Sequence, residues 1–104
     1  ALYREKGFSA LIRSVRHKGL RRFFDSGGQD VSGINPAHRE KLSDQLAMLD
    51  VAREITDMDV PGWNLHALKG KLKGRHSVRV SGNWRLTFEL VDGIAQRVDY
   101  EDYH

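Results

Sequence analysis

From Trp63 to Glu89 the chain concentrates groups that suit an anion. Lys69, Lys71, Lys73, Arg75, Arg79 and Arg85 all fall there, and no acidic residue stands between Asp59 and Glu89. His66, His76 and Asn83 are interleaved with these cations, so the stretch offers proton transfer and hydrogen bonding as well as charge. Cleavage of an RNA phosphodiester needs little more. The substrate's own 2′-hydroxyl is the nucleophile, and the protein supplies a base, an acid and cationic stabilisation of the crowded phosphate. DNA lacks that hydroxyl, which favours RNA as the substrate. The competing view of the same residues is a solvated basic face that holds nucleic acid by counterion release, or holds nothing.

Other chemistries find less support. The glycines around Lys69 to Gly74 do not have the spacing of a phosphate loop or a dinucleotide fingerprint. His66, His76 and His104 are potential metal ligands, but no H-x-x-E-H or paired-histidine helical motif occurs, and neither a metal nor another cofactor is expected. There is no G-x-S-x-G elbow. The chain has no Cys, which removes disulfides, thiolate ligands and thiol nucleophiles.

At 104 residues, 39% hydrophobic and 30% charged, the composition is that of one soluble domain. No apolar run approaches the ~20 residues needed to cross a bilayer, and Ala1 to Ala10 lacks the apolar region of a signal peptide, so a cytoplasmic location is expected. The net charge of +3 is unevenly spread. Arg13, Arg16, Lys18, Arg21 and Arg22 form a first basic cluster and the central stretch a second, while Glu89, Asp92, Asp99, Glu101 and Asp102 mark an acidic tail.

The elements that must position these groups follow from periodicity. Leu11 to Val15 reads as a short strand, and Leu20, Phe23 and Phe24 as one face of a short helix that Gly27 and Gly28 end. Asn35-Pro36 is a helix start, with Asn as cap and Pro where the N–H has no partner. That helix is expected to run to about Ala52, with Leu42, Leu46 and Leu49 as its buried stripe. Pro61-Gly62 turns the chain into the sheet.

Three segments then alternate with period two: Val78 and Val80; Trp84, Leu86, Phe88 and Leu90; Ile94, Val98 and Tyr100. For even-numbered residues of antiparallel neighbours to share a face, paired numbers must sum to an even value, which requires odd-length loops or bulges. Three-residue connections at Ser81 to Asn83 and Val91 to Gly93 satisfy this. They predict Val80 opposite Trp84 and Trp84 opposite Tyr100. On the other face they predict Arg79 beside Arg85 and Arg85 beside Asp99. Two opposed arginines are unfavourable by roughly 0.2–1 kcal/mol unless neutralised. A phosphate would neutralise both. The same register lays Asp102, Tyr103 and His104 alongside the Ser81 to Asn83 turn.

The string V-P-G-W-x-L-H-x-L-K-G-x-L-K-G-x-x-S-V-R-V-S-G-N-W-R-L-T-F, followed by V-D-Y-E-D-Y-H, closely resembles the HigB-like toxins of bacterial toxin–antitoxin modules, in the RelE/ParE superfamily. The resemblance runs from Leu11 to His104 and includes I-R-S-x-R-H-K-G-L-x-R-F-F near the start. It implies a single toxin domain over residues 11–104, with Ala1 to Ala10 as an N-terminal extension. The implied fold is α+β, with two N-terminal helices packed on a small, largely antiparallel sheet of microbial-ribonuclease type. The implied activity is endoribonucleolytic cleavage of mRNA in the ribosomal A site, which inhibits translation, and the implied partner is a HigA-like helix-turn-helix antitoxin that binds operator DNA together with the toxin.

By matching positions, the functional groups would be His66, Lys69, Asn83, Arg85, Asp102, Tyr103 and His104. Arg85 and Lys69 would stabilise the scissile phosphate, and His66 and His104 would transfer protons. Asp102 would act as base or orient a histidine, with Tyr103 touching base or phosphate. Lys71, Lys73, Arg75, Arg79 and Asn83 would hold substrate. Where members commonly have an aromatic residue, this chain has His76. His17 and His38 are expected to be structural or surface groups. Two other readings remain beside the ribonuclease: a ParE-like toxin directed at DNA gyrase, and a basic RNA-binding module without catalysis.

Overall fold

The structure is a computed structural model that describes residues 12–103. The N-terminal extension (residues 1–10), the start of the first expected strand at Leu11 and the role given to His104 lie outside the described residues. The architecture is α+β, as expected, with helices on one side of a four-stranded antiparallel sheet. Helix α1 spans Lys18–Asp25 and α2 spans Arg39–Val51. The strands are β1 (His66–Ala67), β2 (His76–Ser81), β3 (Trp84–Val91) and β4 (Ile94–Asp102), paired in chain order.

Each helix begins where its sequence gives the free N–H groups an acceptor. His17 Nδ1 receives the Leu20 N–H at 3.1 Å and so caps α1. Asn35 Oδ1 receives the Ala37 N–H at 3.0 Å, and Pro36–His38 form a single 3-10 turn that leads into α2. The helix expected from Asn35 to Ala52 is thus a 3-10 turn followed by an α-helix. Leu42, Leu46 and Leu49 are buried, together with Leu20 and Phe23 of α1 and with Val78, Val80, Leu86, Phe88, Val98 and Tyr100 of the sheet. Phe24 is only partly buried against this core. Among the described residues, no helix is long and apolar enough to cross a membrane.

The first segment is less regular than the short strand expected from Leu11 to Val15. Residues 12–16 run along the outer edge of β4 and contribute one parallel bridge, Val15 with Val98, in place of a full strand. Arg13 N–H and Arg16 N–H donate to the carbonyls of Ala95 and Val98 at 2.7 Å each, and Val98 N–H donates to Ser14 O at 3.0 Å. Where α1 passes the loop before α2, the backbones nearly touch: a Cβ on Gly19 would overlap the Gly33 carbonyl.

The even-numbered residues do share the core face, but by the bulge route. Both hairpins turn through two residues, Gly82-Asn83 and Asp92-Gly93, the second with positive φ at both positions. A bulge at Val80 and another at Arg97–Val98 restore the parity that two-residue turns would break. Arg79 is paired with Arg85 as expected. The other three expected neighbours are corrected: Trp84 pairs with Ser81 in place of Val80 and with Asp102 in place of Tyr100, and Arg85 pairs with Glu101 in place of Asp99. Trp84 and Tyr100 still stack diagonally, with ring centroids 4.5 Å apart.

His38 is buried beneath this pair, so of the two expectations for it the structural one holds. Its Nδ1 lies 2.6 Å from the Tyr100 hydroxyl, which also accepts the Asn35 N–H at 3.3 Å. The direction of the His38–Tyr100 hydrogen bond follows the tautomer of the imidazole, since the hydroxyl oxygen has lone pairs for both neighbours. Burial lowers the pKa of His38, and that of His76, whose ring stacks on Phe88.

Two outcomes follow. A His whose pKa is depressed on folding binds its proton more readily unfolded, so stability should fall as pH drops below about 6.5, at most about 1.4 kcal/mol per pH unit per proton. Melting temperatures between pH 5 and 8 should show that slope, and His38→Gln should flatten it. Gly19→Ala, which helix propensity alone would favour by about 1 kcal/mol, should instead destabilise by about 1–3 kcal/mol in denaturant titration, because its methyl meets backbone.

Candidate active site

The sheet face away from the helices holds a cleft of about 210 Å³ lined by His66, Ala67, Leu68, Ser77, Arg85 and Tyr103. Three residues from separate parts of the sequence meet there because three strands carry them: His66 on β1, Arg85 on β3, and Tyr103 just past β4. The Tyr103 N–H donates to Asn83 O at 2.8 Å, which ties the end of β4 to the Gly82-Asn83 turn.

His66 is exposed, and its Nδ1 lies 2.9 Å from the Asn64 carbonyl oxygen. A carbonyl can only accept, so Nδ1 carries the proton and Nε2 is left for chemistry. Asn64 reaches this position with a positive φ of 51°. Tyr103 is half-buried, and burial, with Glu101 as the next contributor, raises its pKa while Arg75 and Arg85 act against the rise. Its hydroxyl therefore stays protonated, as a hydrogen-bond donor.

Arg79 and Arg85 make a second feature of this face. Both guanidinium groups donate to the Gly82 carbonyl, Arg79 Nε at 3.3 Å and Arg85 Nη1 at 2.9 Å, and Arg85 also reaches Trp84 O at 3.2 Å. Among the described residues neither has an ion-pair partner. The Val80 bulge that sets this geometry is held from behind: Gln45 Nε2 of α2 donates to Arg79 O at 2.8 Å, and Arg79 N–H donates to Trp63 O at 2.6 Å.

The remaining sequence-derived candidates are dispersed. Lys69, Lys71 and Lys73 are exposed around the 3-10 turn at Gly70–Leu72, beyond the residues that line the cleft. Asn83 is exposed in the hairpin turn. Asp102 pairs with Trp84, which puts it on the Trp84 and Tyr100 side of the sheet. Arg75 is buried, and its Nη2 donates to Thr87 Oγ1 at 3.1 Å and to Arg97 O at 3.3 Å. Glu101, which the sequence reading passed over, stands opposite Arg85. Its only signal in the sequence was the register, and the unseen bulge hid that. Among the described residues no three of His, Asp and Glu are grouped to hold a metal ion.

An α+β domain whose antiparallel sheet gathers a histidine, an arginine and a tyrosine in one cleft holds groups able to transfer protons and to bind an anion, and comparison with known proteins specifies it further. Residues 13–104 match the family described as the RelE-like toxin of type II toxin–antitoxin system HigB, and the chain belongs to that family. It is 38% identical over 94 residues to Endoribonuclease HigB of Proteus vulgaris, covering 90% of this chain and 100% of that protein. It is also 41% identical over 61 residues to Toxin HigB-1 of Vibrio cholerae serotype O1, covering 58% of this chain and 63% of that one.

The opposed arginines give a direct test. Binding of a single-stranded RNA oligonucleotide should weaken with salt, and replacing both Arg79 and Arg85 by Ala should lower the slope of log K against log salt by about 0.7 for each charge removed. Filter binding across a salt series measures this.

Proposed function

We propose that this chain is a toxin that cleaves mRNA as a metal-independent endoribonuclease at the ribosomal A site, and that a HigA-like helix-turn-helix antitoxin neutralises it. The observation that carries the reading is the meeting of His66, Arg85 and Tyr103 in one cleft, with Arg79 beside Arg85 and neither arginine ion-paired among the described residues. The family and the name of the Proteus vulgaris relative support the same activity.

In this reading, Arg79 and Arg85 hold the non-bridging oxygens of the phosphate and Arg85 stabilises the charge that builds up as the 2′-oxygen attacks. Tyr103 donates its hydroxyl proton in a hydrogen bond to the same phosphate or to the adjoining base. His66 Nε2 exchanges a proton with the reacting oxygens, and its fixed Nδ1–H keeps the ring aimed. His104 is proposed as a further group that exchanges protons with solvent and substrate around this step, and Asp102 as a group that orients it. Lys69, with Lys71, Lys73 and Asn83, holds the flanking RNA backbone. None of these roles calls for a metal, since the attacking hydroxyl belongs to the substrate.

Primer extension on mRNA from cells that express the chain is the test. Discrete cuts phased with codons are expected, and they should disappear when translation initiation is blocked. Arg85→Ala should reduce the cleavage rate about 10²–10³-fold. Intact mRNA with stalled replication would point to a gyrase-directed toxin instead.

A further inference from the structure

The cleft face holds a carboxylate that the family resemblance did not assign. Glu101 lies directly opposite Arg85 and two residues before Tyr103, so all three side chains leave the same face of the sheet. It is half-buried and stands beside the residues that line the cleft, next in register to Arg85. Although paired in register with Arg85, it forms no ion pair with it. Its Oε2 instead accepts the Thr87 hydroxyl at 2.8 Å.

That bond is the end of a buried chain. Arg75 Nη2 donates to Thr87 Oγ1 at 3.1 Å, and Thr87 donates in turn to Glu101. A hydroxyl that accepts from a guanidinium has its proton directed to the next acceptor, so Thr87 has one orientation. Arg75 and Thr87 are both buried. A buried cation is costly unless paired, and the carboxylate at the other end of this chain is Glu101. The second ligand of Arg75 is the carbonyl of Arg97, the bulge residue whose positive φ of 53° departs from strand geometry. The bulge in β4 thus serves the cleft face as well as the core.

We infer that Glu101 is the general base of this cleft, held in place through Thr87 by the buried Arg75. The inference rests on the ribonuclease reading above and assigns its proton transfers. Glu101 accepts the proton of the ribose 2′-hydroxyl as the 2′-oxygen forms its bond to phosphorus. The phosphorus–O5′ bond breaks, and O5′ takes a proton from the Nε2–H of protonated His66. The products are a 2′,3′-cyclic phosphate and a 5′-hydroxyl; Glu101 leaves the step protonated, His66 neutral, and exchange with water restores both. Arg75 and Thr87 are positioning residues. The influence of Glu101 on the Tyr103 hydroxyl, second only to burial, agrees with its carboxylate facing the same space.

The experiment is single-turnover cleavage of mRNA on programmed ribosomes by the full chain, across pH 5 to 8.5. Glu101→Gln should lower the rate about 10²–10⁴-fold with little change in substrate affinity and should remove the acidic limb of the pH profile. Thr87→Val should lower the rate less and keep that limb. Glu89→Gln removes one negative charge elsewhere on the face and should leave the rate unchanged.

A substrate with sulfur in place of the scissile O5′ has a leaving group that needs no acid. It should restore cleavage by His66→Ala but not by Glu101→Gln. Glu101→Gln that melts like the parent chain and keeps both rate and acidic limb would overturn the assignment, as would its rescue by the sulfur substrate. Should Glu101→Gln fail to fold, Glu101→Asp, with its shorter reach, carries the same prediction of lost rate. Failure of the parent chain to cut mRNA at all would instead overturn the ribonuclease reading itself.

Discussion

A core on one side of the sheet and two-residue turns at both hairpins make conflicting demands on register, and the bulges at Val80 and Arg97–Val98 reconcile them. A two-residue turn makes paired numbers sum to an odd value and would send Val78 and Leu86 to opposite faces. One extra residue in β2 and one in β4 restore the match. The cleft face depends on the same correction. Without the first bulge Arg79 would not stand opposite Arg85, and without the second Glu101 would not reach the row that holds Arg85 and Tyr103. Each bulge is fixed by groups outside the two strands that disagree: Gln45 and Trp63 for the first, Ser14 and Arg75 for the second.

Electrostatics on this face are unbalanced by design of the pairing. Two guanidinium groups share one carbonyl oxygen, and the nearest carboxylate in register is turned aside to a threonine hydroxyl. The sheet therefore presents preorganised positive charge together with an acceptor that the charge has not consumed. Such an arrangement suits a reaction in which an anion must be held while a neutral hydroxyl is deprotonated beside it.

Much of this was legible in the sequence, for identifiable reasons. The Leu42, Leu46, Leu49 stripe, the Asn35-Pro36 start and the alternation in the last three strands each reflect a single local rule, and each appears in the fold. The opposed pair Arg79 and Arg85 was also legible, because it depends only on parity. What was hidden depends on contacts between distant segments. A bulge has no sequence mark here, since Val80, Arg97 and Val98 read as ordinary strand residues, so Glu101 was displaced in favour of Asp99. Arg75 reads as one more surface cation until Thr87 and the Arg97 carbonyl are seen around it. The existence of β1 was equally unreadable, since two residues carry no period.

Tyr100 lies on β4 and Tyr103 just past its end, three residues on, and the alternation that carries through sends them to opposite faces. The first has its hydroxyl engaged by the Asn35 N–H and by His38 Nδ1, beside a stacked indole. The second opens on the cleft. Side chains of the same chemical kind thereby acquire unlike reactivity: an electrophile such as tetranitromethane that modifies phenols from solvent meets one ring and is denied the other. The difference between them is a built-in chemical reporter of whether the cleft is covered.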